Sequence, residues 1–141
     1  MTRREITLAA LAAAECGSHT PVQVQKLFFL IEREVGAEVG GSHFNFAPYN
    51  YGPFDAAVYE EIEALARDGL VEIDSPHGWQ EFRLSPEGYE QGRRLLESIP
   101  EPFRNYIRKA SEFVRSLSFN DLVRAIYRQY PDMRANSVFR G

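Results

Sequence analysis

Few side chains in this sequence are of the types that bind metals or act as nucleophiles. The 141 residues include one cysteine, Cys16, and three histidines, His19, His43 and His77. Cys16 and His19 have a metal-like spacing, but zinc usually needs three or four protein ligands and there is no second pair. The sequence therefore predicts no metal site, and Cys16 is expected to fill a gap at the end of the first helix.

Enzyme motifs are also missing. The sequence contains no Gly-x-Ser-x-Gly turn, no phosphate-binding glycine loop and no His-Glu-x-x-His. Glu60, Glu61 and Glu63 belong to a predicted solvated helix face, where the burial that acid–base catalysis needs is not expected. The sequence predicts a noncatalytic protein without cofactors. A deep pocket that holds titratable groups with shifted pKa values would favour an enzyme instead.

The composition is typical of one globular domain. Hydrophobic residues make up 44% of the chain and charged residues 26%, and this length allows one sizeable core. No apolar run approaches the ~20 residues that cross a bilayer. Glu5 and Glu15 interrupt an N-terminal run that could otherwise be taken for a signal peptide. A single cysteine weakly favours a reducing compartment, so we expect one cytoplasmic domain over residues 1–141.

The hydrophobic pattern predicts an α+β fold that is mainly helical. A glycine-ended helix followed by strand, turn and strand is typical of a winged helix, here with additional C-terminal helices. Gly88 and Gly92 interrupt the fourth helix at about 1 kcal/mol each, so we expect close packing there or a frayed start. In chain order the predicted elements are helices at 3–15, 20–36 and 55–68, strands at 70–73 and 79–84, and helices at 85–97, 103–117 and 118–131.

Charge disfavours the DNA binding that a winged helix suggests. The third helix would enter the major groove, but phosphates would repel its side chains, and the hairpin turn at 74–78 has no arginine or lysine. The net charge of −4 divides into −8 for residues 1–100 and +4 for residues 101–141. The alternative is therefore a DNA-binding regulator, which could be a dimer that uses its arginine-rich C-terminal helices. The third helix and its ends carry one Arg67 against Asp55, Glu60, Glu61, Glu63 and Asp68.

The stretch FNFAPYNYGPF, residues 44–54, is too apolar for a solvated loop and too rich in proline for a helix. We expect it to cross the domain as an extended segment that buries Phe44, Phe46 and Phe54 against the second and third helices. Tyr49 and Tyr51 would then bury their rings and expose their hydroxyl groups.

Protein interfaces concentrate tyrosine, tryptophan, phenylalanine and arginine. The aromatic stretch and the C-terminal helices supply these types, so a protein partner is the leading hypothesis. A buried aromatic lid and a solvated helix face would account for the same residues without a partner. The candidate partner-binding residues are Tyr49, Tyr51, Phe54, Arg124 and Arg128.

Several stretches resemble the Panacea domain, also called the SocA-like antitoxin domain, which has YwgA-type relatives. Val24-Gln25-Lys26-Leu27 is similar to the family's Leu-Gln-Lys-Leu-like run. Tyr51-Gly52-Pro53-Phe54, an acidic helix and Gly69-Leu70 are similar to its central signature.

The resemblance extends to the second half of the chain. FRLSPEG resembles the family's Leu-Thr-x-x-Gly segment, with Ser85 in place of threonine, and the chain ends with a similar Tyr-Pro and a late Asn-Ser. It covers roughly residues 20 to 137. It implies a mainly helical antitoxin that neutralises a toxin by direct contact.

Overall fold

A computed structural model describes residues 1–141 as a mainly helical α+β fold, with 59% of residues in helices. This confirms the predicted fold class. No helix combines the length and the apolarity needed to cross a membrane. The elements in order are α1 (Arg3–Ala12), α2 (Pro21–Val35), β1 (Ala47–Tyr49), β2 (Gly52–Phe54), α3 (Ala56–Arg67), β3 (Val71–Asp74), β4 (Glu81–Leu84), α4 (Pro86–Ser98), α5 (Phe103–Ser116) and α6 (Phe119–Gln129).

Side-chain caps fix the start of every α-helix except α5, which Pro102 precedes. At α2, the Thr20 hydroxyl accepts a hydrogen bond from the Gln23 amide, and the Gln23 side chain accepts one from the Thr20 amide. The end of α1 differs from the prediction, because regular helix stops at Ala12 and Glu15 has a left-handed φ of 56°. Cys16 is exposed, so the expectation that it fills a gap was wrong.

One hydrophobic core of 31 buried residues joins the elements. The two glycines of α4 let that helix approach its neighbours. A Cβ atom on Gly88 would lie 1.9 Å from the Leu70 carbonyl oxygen, and one on Gly92 would lie 2.5 Å from the Leu8 carbonyl oxygen. Of the two alternatives for these glycines, close packing is therefore the one observed.

The predicted hairpin is present as β3 and β4, paired antiparallel from Val71↔Leu84 to Asp74↔Glu81. His19 adds a backbone bridge to Phe82, with N···O distances of 3.0 and 2.8 Å. The order α1, bridge, α2, α3, β3, β4 is that of the predicted winged helix. Strand β4 begins at Glu81 rather than at Trp79, which leaves the tryptophan exposed.

Residues 44–54 do not form the extended crossing segment that we expected. They fold into a second hairpin, in which β1 pairs antiparallel with β2 from Ala47↔Phe54 to Tyr49↔Gly52. Phe44 is buried, but Phe46 and Phe54 are only half-buried. Phe54 packs between Tyr49 and Tyr59 at centroid distances of 5.1 and 5.8 Å. Its predicted burial in the core was therefore wrong.

Candidate functional site

Two polar side chains of α2 hold both ends of the β1–β2 hairpin. Gln25 pairs with the backbone of Asp55, donating to its carbonyl oxygen at 3.0 Å and accepting from its amide at 2.9 Å. A Glu32 carboxylate oxygen accepts from the amides of His43 and Phe44 at 2.6 and 2.9 Å. Glu32 lies seven positions, or about two helical turns, after Gln25, so both side chains lie on one face of the helix.

The C-terminal segment holds the turn of the same hairpin. The Asn50 carbonyl oxygen accepts from the Val138 amide at 2.9 Å and from the Ser137 hydroxyl at 3.3 Å. The Asn136 side chain donates to the Pro48 carbonyl oxygen at 3.2 Å. The late Asn-Ser pair of the sequence therefore fixes a turn almost 90 residues earlier in the chain.

Gly52 is the point at which α2 and α6 both approach the hairpin. Its φ of 107° is left-handed, and a Cβ atom there would lie 3.4 Å from Tyr127 Cε1 and 3.5 Å from Lys26 Nζ. Glycine suits this position because it adopts positive φ without strain and leaves room for the lysine.

Four exposed aromatic side chains surround the N-terminus of α2, and we call them the aromatic face: Tyr49, Tyr51, Trp79 and Phe119. They are 53%, 44%, 56% and 42% exposed. The rings of Tyr51 and Phe119 meet edge to face at a centroid distance of 5.2 Å. The face therefore joins residues from the β1–β2 turn, the segment before β4 and the start of α6.

Two adjoining cavities open on the aromatic face. The hairpin cavity, of about 290 Å³, lies between the β1–β2 hairpin and α2. The tryptophan cavity, of about 460 Å³, lies beside Trp79 and Leu117. Pro21, Val22 and Phe119 line both cavities, so the two form one interrupted groove.

Lys26 lines the hairpin cavity and is 3% exposed. Its ammonium group makes no hydrogen bond and no ion pair, yet no polar side-chain atom is both sealed from solvent and unpaired. The ammonium must therefore reach the cavity. Burial lowers the pKa of Lys26 from 10.5 to about 8.

Sequence analysis did not select Lys26 as a site residue. A signal was present, because Lys26 lies three and four positions before Phe29 and Leu30, on the apolar side of α2. It is also one of only two lysines among 16 basic residues, the other being Lys109.

The structure brings three of the five predicted partner-binding residues together. Tyr49, Tyr51 and Phe54 all line the hairpin cavity. Trp79 and Phe119 extend their surface, although sequence analysis assigned Trp79 to a strand and did not select Phe119.

Arg124 and Arg128 lie elsewhere, at a cavity of about 320 Å³ that Arg134 and Phe139 also line. Arg124 pairs with Asp121 at 3.1 Å and lies over the Phe139 ring. Phe119 of the aromatic face begins the helix that carries these two arginines, and its ring meets the Phe139 ring at a centroid distance of 6.3 Å.

The outer surface of α3 is acidic, as the sequence indicates. Glu60, Glu63 and Asp68 are exposed, and Asp68 pairs with Arg4 at 2.9 Å. Asp55 is the N-cap of α3 and accepts from the Ala57 amide at 2.9 Å. No arginine or lysine occurs in the β3–β4 turn.

No group of three or more His, Cys, Asp and Glu side chains could hold a metal ion. His19 is buried, and its Nε2 atom lies 2.9 Å from the Ser111 hydroxyl. Burial lowers the His19 pKa to about 3, and Arg115 adds to the effect. His19 therefore stays neutral, and its side chain connects the segment before α2 to α5.

No protein-family model, no curated protein and no solved structure matches this chain. The geometry of the site is therefore the basis for the functional conclusion that follows.

Proposed function

We propose that the protein is a noncatalytic protein-binding module of the antitoxin type, and that the aromatic face is its docking surface. The observation that carries this proposal is the cluster of Tyr49, Tyr51, Trp79 and Phe119 around two cavities on a fixed scaffold.

Large aromatic side chains that surround a cavity are typical of the energetically dominant part of a protein interface. Contiguous exposed apolar patches with a polar surround mark interaction sites on protein surfaces. The hydrogen bonds of Gln25, Glu32 and Ser137 restrict the hairpin before any partner binds. Such preorganisation strengthens binding, because less conformational freedom is lost on association.

The antitoxin role is the more specific part of the proposal. Two of the stretches that resemble the Panacea domain meet at the hairpin cavity: Lys26 from the first run and Tyr51-Gly52-Pro53-Phe54 from the second. Asn136 and Ser137 of the late Asn-Ser pair hold the turn above it. Three of the stretches on which the resemblance depends therefore support one surface.

Lys26 also meets one condition for an enzyme, because it is a buried titratable group with a lowered pKa in a cavity. Its surroundings favour binding instead. The lining residues of the hairpin cavity include no carboxylate and no imidazole that could exchange a proton with the lysine. A single ammonium among aromatic rings and a glutamine is better suited to recognition than to bond making.

Co-expression with the protein encoded by the adjacent gene tests the proposal. If that protein is toxic, growth should be restored, and the two chains should purify as one complex. Trp79→Ala and Tyr51→Ala should each weaken the complex by about thirtyfold, the effect of removing a dominant interface residue. The dissociation constants can be measured by calorimetry.

Phe113→Ala is the matched control, because Phe113 is an exposed aromatic of α5 (38%) that lines neither cavity of the aromatic face. It should leave the complex unchanged. Separate purification of the two chains, or equal weakening by all three substitutions, would reject the aromatic face as the docking surface.

A winged-helix transcriptional regulator is the second candidate function. The observation that favours it is the cavity lined by Arg124, Arg128 and Arg134, because arginine clusters bind phosphates. The acidic surface of α3 opposes it. A gel-shift experiment on the gene's own promoter at ~50 mM salt decides between the two, because phosphate contacts are strongest at low salt.

A further inference from the structure

We infer that the hairpin cavity binds the carboxylate of an aspartate or glutamate side chain that a partner protein presents among apolar residues. Lys26 is the group that receives this carboxylate. The inference rests on the proposed function and names the chemistry of the partner surface.

The first observation is an ammonium group without a counterion. Lys26 is almost completely buried, yet no carboxylate forms an ion pair or a hydrogen bond with it. Buried charges in proteins are ordinarily paired. A partner can reach the ammonium through the hairpin cavity, because Lys26 lines this cavity and is otherwise almost completely buried.

The second observation is the position of the cavity at the start of a 15-residue helix. Val22, which also lines the cavity, is at the second position of α2 and one turn before Lys26, and its amide has no acceptor within the chain. Side chains in a helix tilt toward the N-terminus, so the lysine extends toward this end. The positive end of the helix dipole and the ammonium therefore favour the same anion.

The walls of the cavity select the kind of anion. Tyr49, Tyr51, Phe54, Tyr59 and Phe119 supply ring surface. The Gln25 amide uses its oxygen and one of its two N–H donors in the pair with Asp55. One positive charge and apolar walls match a monoanionic carboxylate on an aliphatic stem, whereas a phosphate dianion would need more donors.

The surroundings favour a side chain over a chain terminus. The cavity lies within the aromatic face, with the tryptophan cavity on one side and the exposed Tyr49 on the other. A partner segment that crosses this face continues past the cavity in both directions. It would insert a side chain into the cavity and place its apolar neighbours on the aromatic rings.

The test uses NMR spectroscopy of the lysine side chains with three N-acetylated peptides. The chain has only two lysines, so ¹³C-lysine labelling gives two ε-methylene signals, and Lys109 serves as an internal control. The probes are Ac-Phe-Glu-Phe-NH₂, the neutral Ac-Phe-Gln-Phe-NH₂, and Ac-Phe-Gln-Phe-OH, whose only carboxylate is terminal. Inorganic phosphate at matched ionic strength is the fourth probe.

The glutamate peptide should move the Lys26 signal in a saturable way and bind about tenfold more tightly than the glutamine peptide, because a hydrogen bond to a charged group is lost in the latter. It should also move the Lys26 titration midpoint upward from about 8. The other titratable groups that face this region are tyrosines: Tyr49, Tyr51 and Tyr59 in the cavity and Tyr127 beyond Gly52.

Equal affinities for the glutamate and glutamine peptides would overturn the inference. Tighter binding of the terminal carboxylate or of phosphate would also overturn it, and would assign a C-terminal or an oxyanion site instead. Lys26→Met keeps the length of the side chain and should remove the preference for glutamate, whereas Lys109→Met should not change it.

The same two variants separate this inference from the proposed function. If the co-expressed complex forms through the aromatic face but Lys26→Met and Lys109→Met bind equally well, the docking proposal stands and the carboxylate site is wrong. If Lys26→Met alone weakens the complex by about tenfold, both stand.

Discussion

The two hairpins of this protein have the same number of strands but are stabilised in different ways. The β3–β4 hairpin has four paired positions, and Arg83 bridges Glu72 and Asp74 across its strands. The β1–β2 hairpin has three paired positions, and side chains from α2 and the C-terminal segment hold it. A short isolated hairpin is marginally stable in water, so the second hairpin depends on distant parts of the chain.

This difference has a consequence for function. A hairpin that depends on distant hydrogen bonds can carry exposed aromatic residues at fixed positions, because its shape does not require those residues to be buried. The β3–β4 turn, in contrast, is exposed throughout residues 74–80. The comparison predicts that similar substitutions will lower the free energy of unfolding by different amounts in the two hairpins.

The largest effect is expected at Gln25. Gln25→Ala leaves the Asp55 amide without its acceptor, takes one of two donors from the Asp55 carbonyl oxygen, and removes a buried side chain. Together these losses should lower the free energy of unfolding by about 4 kcal/mol. Urea denaturation measures this change. Arg83→Ala is the control in the β3–β4 hairpin, where exposed ion pairs contribute at most about 1 kcal/mol. Similar losses for the two variants would contradict the comparison.

The next largest effect is expected at Lys26, which lines the cavity beside the β1–β2 hairpin. Here the substitution should raise the free energy of unfolding. Because its pKa is lowered from 10.5 to about 8, Lys26 destabilises the fold below pH 8, where it is charged in both states. Lys26→Met should therefore raise the free energy of unfolding by about 3 kcal/mol at pH 7. A residue that costs this much stability is typical of a functional site.

The pH dependence gives the same prediction a sharper form. Between pH 8 and 10.5 the unfolded chain keeps the proton that the folded chain has lost, so the wild-type stability rises with pH relative to the variant. The difference between the two proteins in free energy of unfolding should shrink through this range and become independent of pH above it. Lys109→Met, at an exposed lysine, should show no such dependence, and a constant difference for Lys26→Met would exclude the lowered pKa.

The sequence was sufficient to predict those elements whose start or end is set by neighbouring residues. The cap at Thr20, the glycine-ended α3 and the turn Asp74–Gly78 each predict their element from neighbouring residues, and the α+β helical class followed from them. It was insufficient for β1–β2, because the partners of this hairpin, Gln25, Glu32 and Ser137, are as many as 87 positions away. That Lys26 has no ion-pair partner could not be predicted either, because it depends on where the fold places every carboxylate of the chain.

A glycine in each hairpin offers a matched comparison. Gly52 and Gly78 have φ values of 107° and 91°, so alanine is strained at both. At Gly52 the new methyl group also meets Tyr127 and Lys26, whereas nothing lies within 4 Å of it at Gly78. We expect losses of about 2 kcal/mol for Gly52→Ala and about 1 kcal/mol for Gly78→Ala in thermal unfolding. Equal losses would mean that the contacts at Gly52 relax freely.

The smallest expected effect concerns the C-terminal segment, which holds the β1–β2 turn. Ser137→Ala removes a hydroxyl that accepts from Tyr127 at 2.6 Å and donates to Asn50 at 3.3 Å, for a loss of about 1 kcal/mol. Amide hydrogen exchange should accelerate at residues 50–52 and stay unchanged in β3–β4. Ser75→Ala is the control, because Ser75 is an exposed serine of the β3–β4 turn. Equal acceleration of exchange in both hairpins would show that the C-terminal segment supports the whole fold. The segment would then not hold the β1–β2 turn in particular.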